Sequence, residues 1–160
     1  KLKNSDYVFS SIQIEGKNYN TYKDIKKLKN IVTSKYNKKF VIVGATPEFQ
    51  TDSDLLLNFL TINNINHNEI KDNISNINNF FFKNIRKHIH TVNKNLETLS
   101  KDLNVIFLNK FDYICEMNNN ICFGIDQNGK KNFYDYSHYT NNGIFFFGER
   151  IFKKNWIKLN

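Results

Sequence analysis

The chain has 160 residues and a formal net charge of +8, and only two of its 23 basic residues are arginines. The length suits one domain with its own core over residues 1–160, and the absence of any run of about 18 apolar residues excludes a transmembrane helix. Nucleic-acid binding is not expected, because the basic residues are mostly scattered lysines in a composition typical of AT-rich coding, whereas bidentate recognition of phosphate and guanine relies on Arg.

The first predicted elements are a strand, a helix and a second strand. The strand at Tyr7–Phe9 runs into a polar end at Ser10. Apolar residues then recur at helical spacing, which predicts an amphipathic helix over residues 20–37. A continuous apolar run, Phe40–Gly44, is typical of a strand buried on both faces, and Pro47 prevents it from continuing.

Helices dominate the middle of the chain. Asp52 or Ser53 is predicted to cap a short helix that ends near Leu60. After an Asn-rich loop, apolar residues keep a 3–4 spacing over residues 74–103, which predicts one continuous helix of more than seven turns. A second buried strand follows over residues 105–108.

Two cysteines, Cys115 and Cys122, flank a turn-forming run of three asparagines. A hairpin there would bring the sulfurs together, and a disulfide closing so short a loop would add about 2–3 kcal/mol and indicate an oxidising compartment. Two reduced, buried thiols are the alternative. A zinc site is not expected, because no second Cys or His pair stands at ligand spacing.

The segment richest in chemistry lies near the C-terminus. Asp135 stands three residues before His138, after a strand-like pair, Phe133-Tyr134, and before an apolar helix predicted from about Thr140 to Phe152. A carboxylate that accepts the Nδ1 proton leaves Nε2 free to act as a base. The alternative is an exposed loop histidine, with Asp135 serving as a turn or cap residue.

Neither the other histidines nor the serines offer a comparable pattern. His67 lies in a polar loop, and His88 and His90 lie within the long predicted helix as structural or surface residues. Ser11 ends a strand but lacks the Gly-flanked turn that exposes a nucleophilic hydroxyl. We therefore expect the nucleophile that His138 would serve to lie outside this chain.

The order of strands and helices predicts the fold class. Helical crossovers between short apolar strands indicate a parallel sheet with helices on both faces, which is an α/β fold. Ligands of such sheets bind beyond the carboxyl ends of the strands. Ser10-Ser11, Ala45–Pro47 and the Asp135/His138 loop can therefore meet at one edge.

Four segments together resemble the SGNH (GDSL-like) hydrolase family, and more narrowly the SGNH domain fused to bacterial membrane O-acyltransferases that modify surface polysaccharides. The segments are Asp6–Ser11, Phe40–Pro47, the strand at Val105–Leu108 with the two cysteines after it, and Tyr134–Gly143, which corresponds to the family's D-x-x-H block. The resemblance implies a flavodoxin-like, three-layer α/β/α fold with a parallel sheet.

The resemblance also implies roles for individual residues. His138 would be the general base and Asp135 its orienting carboxylate. The family's nucleophilic Ser, in a Gly-Asp-Ser block, would precede Lys1 together with the first strand, so the chain is expected to be the later part of a longer protein. The family's G-x-N-D block has no match after the first strand here, which leaves Ser11 or Gln13 as oxyanion donors.

The implied activity is acyl transfer, namely O-acetylation of a cell-surface glycan such as lipopolysaccharide in the periplasm. The partners would be an acyl donor, a glycan acceptor and an upstream integral-membrane acyltransferase domain in the same chain, with no metal, cofactor or nucleic acid. The 160 residues alone are expected to be inactive because they lack the Ser. Two alternatives stay open: an SGNH carbohydrate esterase, and a non-catalytic glycan-binding module.

Overall fold

The computed structural model describes residues 6–11, 19–50 and 54–157. In chain order these contain β1 (Tyr7–Ser11), α1 (Tyr19–Asn30) continued by a π-helical turn (Ile31–Lys35), β2 (Lys39–Val43), α2 (Leu55–Ile62), a 3₁₀ helix (His67–Asn73), α3 (Ile74–Lys83), α4 (Lys87–Asp102), β3 (Ile106–Leu108), α5 (Phe111–Ile114), β4 (Cys115–Glu116), a 3₁₀ turn (Met117–Asn119), β5 (Ile121–Cys122) and α6 (Asn141–Lys153). None of the helices in these ranges is long and apolar enough to cross a membrane.

The chain divides into two compact units, and the first contains the sheet. Within the described residues this unit comprises 6–11, 19–45 and 88–110. Its described strands pair in parallel in the order β1-β2-β3, with Val8 opposite Phe40 and Ile42 opposite Phe107. Each strand is separated from the next by helix, as parallel pairing requires. The predicted α/β class with a parallel sheet is therefore confirmed.

The core of the first unit forms around β2. Phe40 and Ile42, which alternate onto one face of the strand, pack with side chains of α1, the π-helical turn and α4. The buried members of this cluster are Ile25, Val32, Phe40, Ile42, Val92, Leu96 and Leu99. Full burial of one such side chain stabilises the fold by about 1.5–3 kcal/mol, so the cluster holds both helices on the sheet.

The predicted helix over residues 20–37 is α-helical only as far as Asn30, and then forms the π-helical turn. In that turn the Thr33 hydroxyl donates to Lys29 O at 3.0 Å, a side-chain bond that competes with regular helical pairing. Asn37, two residues after the end of this turn, has a positive φ of 49°. Asn is one of the few residues that adopts this conformation at low cost.

The prediction of one continuous helix over residues 74–103 is wrong, because α3 and α4 are separate. The break begins at Asn84, whose side-chain amide donates to Phe80 O at 2.8 Å. The next residue, Ile85, forms an antiparallel bridge with Phe49. Since Ile85 is itself buried, the 3–4 spacing of apolar residues passes through the break, and periodicity does not reveal it.

The cap of α2 also differs from the prediction. Its N-cap is Asp54, whose carboxylate accepts from Leu56 N at 3.1 Å and Leu57 N at 3.3 Å. The predicted caps Asp52 and Ser53 lie outside the described residues.

Within the described residues the second unit comprises 46–50, 54–87 and 111–157. Its core is aromatic, because Phe49 lies with its ring centroid 5.0 Å from that of Phe81 and 5.1 Å from that of Phe133, both edge to face. The antiparallel β4–β5 hairpin belongs to this unit, and Cys115 and Cys122 form a disulfide across it. Phe133 is thus anchored in the core two residues before Asp135.

Candidate catalytic Asp-His pair

The segment that carries Asp135 and His138 is a short loop closed on itself. Phe133 and Tyr139 form an isolated antiparallel bridge, and Tyr134 N donates to His138 O at 3.0 Å. The strand-like pair Phe133-Tyr134 thus contributes a single bridge residue, Phe133, before the chain turns. The closure places Asp135 and His138 at defined positions, although the loop carries no regular strand.

Asp135 uses its two carboxylate oxygens for different tasks. Oδ1 accepts from the backbone amides of Ser137 at 2.9 Å and His138 at 2.8 Å, which makes the turn. Oδ2 lies 2.7 Å from Nδ1 of His138. The sequence left two alternatives for Asp135, a turn residue or a residue that orients the imidazole. In the structure its carboxylate makes the hydrogen bonds that belong to each of these roles.

The imidazole of His138 is held on one ring nitrogen and open on the other. Its side chain is 59% exposed, and Nε2 has no hydrogen-bond partner among the described residues. The ring lies nearly parallel to that of Tyr134, with centroids 5.6 Å apart, and meets Tyr136 edge-on at 6.0 Å. The two tyrosines and Asp135 together limit rotation of the imidazole, while Nε2 stays accessible.

The electrostatics keep Asp135 ionised at neutral pH. Partial desolvation raises the pKa of its carboxyl, but the hydrogen bonds from Ser137 N, His138 N and the His138 ring outweigh that cost. The net pKa lies below its usual value, because the carboxylate form accepts all three bonds. The group that faces Nδ1 is therefore an anion, which favours the tautomer with its proton on Nδ1.

Three residues that support this loop were not found by sequence reasoning. Phe49 N donates to Tyr136 O at 2.9 Å, and the Arg86 guanidinium lies 5.1 Å from the centroid of the Tyr136 ring. Arg86 also donates from Nε to Phe49 O at 3.1 Å and pairs with Glu48 at 3.6 Å. The only available signal was that Arg86 is one of two arginines in a lysine-rich chain.

The residues after the pair form the start of α6, as predicted. Thr140 is the N-cap, and its hydroxyl accepts from Gly143 N at 3.0 Å while it donates to Lys131 O at 2.6 Å. A Cβ on Gly143 would stand 2.0 Å from Asn132 O, so no other residue fits without movement of the backbone. The close approach fixes the exit of the loop into the helix.

Two tyrosines, the buried Tyr113 and the half-buried Tyr139, meet next to the loop. The hydroxyls of Tyr113 and Tyr139 are 3.2 Å apart. Burial raises the pKa of Tyr139, and the neighbouring Tyr113 hydroxyl raises it further, while a hydrogen bond with Thr46 acts in the opposite direction. Burial likewise raises the pKa of Tyr113. Both phenols are neutral at physiological pH, and their hydroxyls form a hydrogen-bonded pair.

The disulfide leaves neither cysteine with a thiol that could act as a nucleophile. Cys115 and Cys122 are both buried and bonded to each other. Arg150 supports the hairpin that they close, since it donates to Tyr113 O at 2.7 Å and pairs with Glu116 at 3.1 Å. The two cysteines therefore have a structural role.

The two predicted oxyanion donors have different outcomes. Ser11 lies at the exposed end of β1, and its hydroxyl accepts from Lys110 Nζ at 3.4 Å. Burial lowers the pKa of Lys110. Gln13 lies outside the described residues. A role for either residue in binding an oxyanion stays a prediction.

The fold of the chain is similar to that of a solved protein domain. No protein-family model matches its sequence, and no curated protein does so. Its structure aligns with the periplasmic domain of a lipopolysaccharide acetyltransferase from Salmonella ser. Paratyphi A, with a TM-score of 0.64 and 14% sequence identity over 94% of this chain. The chain spans 56% of that structure's length. At this identity, the likeness shows a shared fold.

Proposed function

We propose that this chain is part of an SGNH-type acyltransferase that O-acetylates a cell-surface glycan. The observation that carries the proposal is the Asp135–His138 pair, with Nδ1 held at 2.7 Å and Nε2 open, in a chain with the fold of a lipopolysaccharide acetyltransferase periplasmic domain. A histidine oriented in this way is the base that acyl transfer to a hydroxyl requires.

In the proposed reaction a seryl hydroxyl from outside these 160 residues attacks the carbonyl carbon of the acyl donor. His138 Nε2 takes the hydroxyl proton as the new C–O bond forms, and Asp135 stabilises the resulting imidazolium. Collapse of the tetrahedral intermediate breaks the bond to the leaving group, which receives the proton from Nε2. A sugar hydroxyl then attacks the acyl-serine, again with Nε2 as base, and regenerates the serine. Ser11 or Gln13 would donate to the oxyanion.

Two observations support a periplasmic location for this chemistry. The buried disulfide between Cys115 and Cys122 is typical of an oxidising compartment. The structural neighbour is itself a periplasmic domain. We therefore propose that this chain lies in the periplasm. An upstream integral-membrane acyltransferase domain of the same protein would supply the acyl group.

The test is the His138→Ala variant of the full-length protein, assayed for transfer of a labelled acetyl group to isolated surface glycan. We expect loss of transfer with the thermal unfolding midpoint unchanged, because the side chain is largely exposed. The matched control is His67→Ala, which removes an exposed imidazole elsewhere. If His138→Ala retains most of the wild-type activity, the proposed role of the pair is wrong.

A carbohydrate esterase is the second candidate, and the 59% exposure of His138 favours it, since water reaches the imidazole. The same assay separates the two, because an esterase releases free acetate and leaves the glycan unlabelled. A glycan-binding module would show neither transfer nor release in the wild-type protein.

A further inference from the structure

A cleft of about 660 Å³ lies in the first unit, at the amino ends of β2 and β3. Its walls combine basic, polar and apolar side chains, and the residues that line it are Lys29, Thr33, Asn37, Lys38, Lys39, Phe40, Asn104, Val105 and Ile106. Its volume is within the range of small-molecule pockets, which is about 300–1,000 Å³. None of these residues belongs to the Tyr134–Gly143 segment.

The backbone at the cleft is shaped by two helices that end there in the same way. Asn37 follows the π-helical turn and Asn104 follows α4, and both have a φ of 49°. Lys38 N donates to Val32 O at 3.2 Å and Val105 N donates to Ser100 O at 2.9 Å, which satisfies carbonyls at each helix end. The two asparagine side chains are thus placed at the cleft by the helix-terminating backbone.

The charge of the cleft is positive even after the helix ends are counted. Three lysines line it, and no Asp or Glu of the described ranges does so. Each helix C-terminus contributes roughly −0.5 of a charge, or about −1 for the two. Asp6, which lies outside the cleft wall with a side chain that is 92% exposed, offsets one further charge at most. A net positive charge of at least about +1 is left for a ligand.

Two of the lysines have contacts that differ in strength. Lys39 Nζ lies 3.1 Å from the Tyr7 hydroxyl and 5.1 Å from the centroid of the Tyr7 ring. The Lys38 side chain is only 17% exposed, yet its ion pair with Asp6 is long, at 3.9 Å. A partly buried ammonium with so loose a partner can accept a better-placed anion at little cost in desolvation.

We propose that this cleft binds a saccharide through a phosphate or carboxylate group on the sugar. The lysines would bind the anion, while the amides of Asn37 and Asn104 and the Thr33 hydroxyl offer donors and acceptors for sugar hydroxyls. A nucleotide fits less well, because Phe40 is the only aromatic residue among the described residues of the lining, and it is buried in the core. The cleft would thus be a binding site for anionic saccharides.

The test is calorimetric titration of the full-length protein at low ionic strength with glucose 6-phosphate, glucuronate, glucose and inorganic phosphate. We expect both charged sugars to bind at least about tenfold more tightly than glucose, and glucose 6-phosphate to bind more tightly than inorganic phosphate. Lys38→Gln should weaken binding of the charged sugars by about tenfold, and Lys29→Gln, in α1, should do the same without disturbing the ion pair between Lys38 and Asp6.

Lys94→Gln is the matched control, since it removes an exposed lysine of α4 that does not line the cleft. It should leave the affinity unchanged, and His138→Ala should do so too, which separates this proposal from the acyl-transfer proposal. The inference is overturned if glucose binds as tightly as the charged sugars, if inorganic phosphate matches glucose 6-phosphate, or if the Lys94 variant loses as much affinity as the cleft variants.

Discussion

Replacement of Asp135 by Asn tests the proposed pair with little change of shape. The amide oxygen of Asn can still accept from Ser137 N and His138 N, so the turn should persist, while the negative charge beside Nδ1 is lost. At 2.7 Å, a charge pair is worth about 1.5 kcal/mol at the dielectric constant of water and about 6 kcal/mol at an effective value of 20. Because His138 is 59% exposed, solvent screening places the loss in the lower part of this range, at about 2–4 kcal/mol.

This loss corresponds to about a 30- to 1,000-fold lower kcat for acyl transfer, since each 1.36 kcal/mol is a factor of ten. The KM for the glycan should stay constant, because Asp135 acts on proton transfer. Asp135→Ala should lose as much activity and also some thermal stability, since it removes the turn acceptor. If Asp135→Asn keeps more than a third of the wild-type kcat, Asp135 is a turn residue alone and the catalytic reasoning fails.

Two further predictions concern stability. The Cys115→Ala/Cys122→Ala variant should lose about 2–3 kcal/mol of unfolding free energy, because the open loop regains entropy in the unfolded chain; an unchanged denaturation midpoint would show that the hairpin does not need the bond. Tyr139 has a raised pKa, so its contribution to stability is complete below the unfolded value of about 10 and declines as the pH rises beyond it. The unfolding midpoint of Tyr139→Phe should therefore fall less than that of the wild type between pH 8.5 and 11. If the two midpoints fall in parallel with pH, the pKa of Tyr139 is not raised in the folded protein.

The sheet of the first unit could be predicted because its strands are short apolar runs with clear ends. The predicted strands at residues 7–9, 40–44 and 105–108 correspond to β1, β2 and β3. Continuous apolar runs indicate parallel strands, and the intervening helical periodicity gave the crossovers. The boundary between α3 and α4 could not be found in this way, because the buried Ile85 preserves the apolar period across the break.

The candidate pair was predictable from local spacing, whereas its supports were not. The hydrogen bonds that Asp135 accepts come from residues two and three positions later, so they lie within the D-x-x-H pattern. Arg86 and Tyr136 are 50 residues apart, and their contact depends on the path of the chain in space. The hydrogen bond between Phe49 N and Tyr136 O is equally non-local. Because it joins two backbone groups, it cannot be inferred from the pattern of side chains in the sequence.

Because the chain has only two arginines, both in the second unit, each can be modified selectively to probe its surroundings. Both arginines of the chain bind a backbone carbonyl and cover an aromatic ring, Arg86 beside Tyr136 and Arg150 beside Phe123. An arginine-directed dicarbonyl reagent therefore has only these two targets in a chain otherwise rich in lysine amines. Slow adduct formation at Arg86 would report by mass spectrometry on the folded loop, and at Arg150 on the closed hairpin.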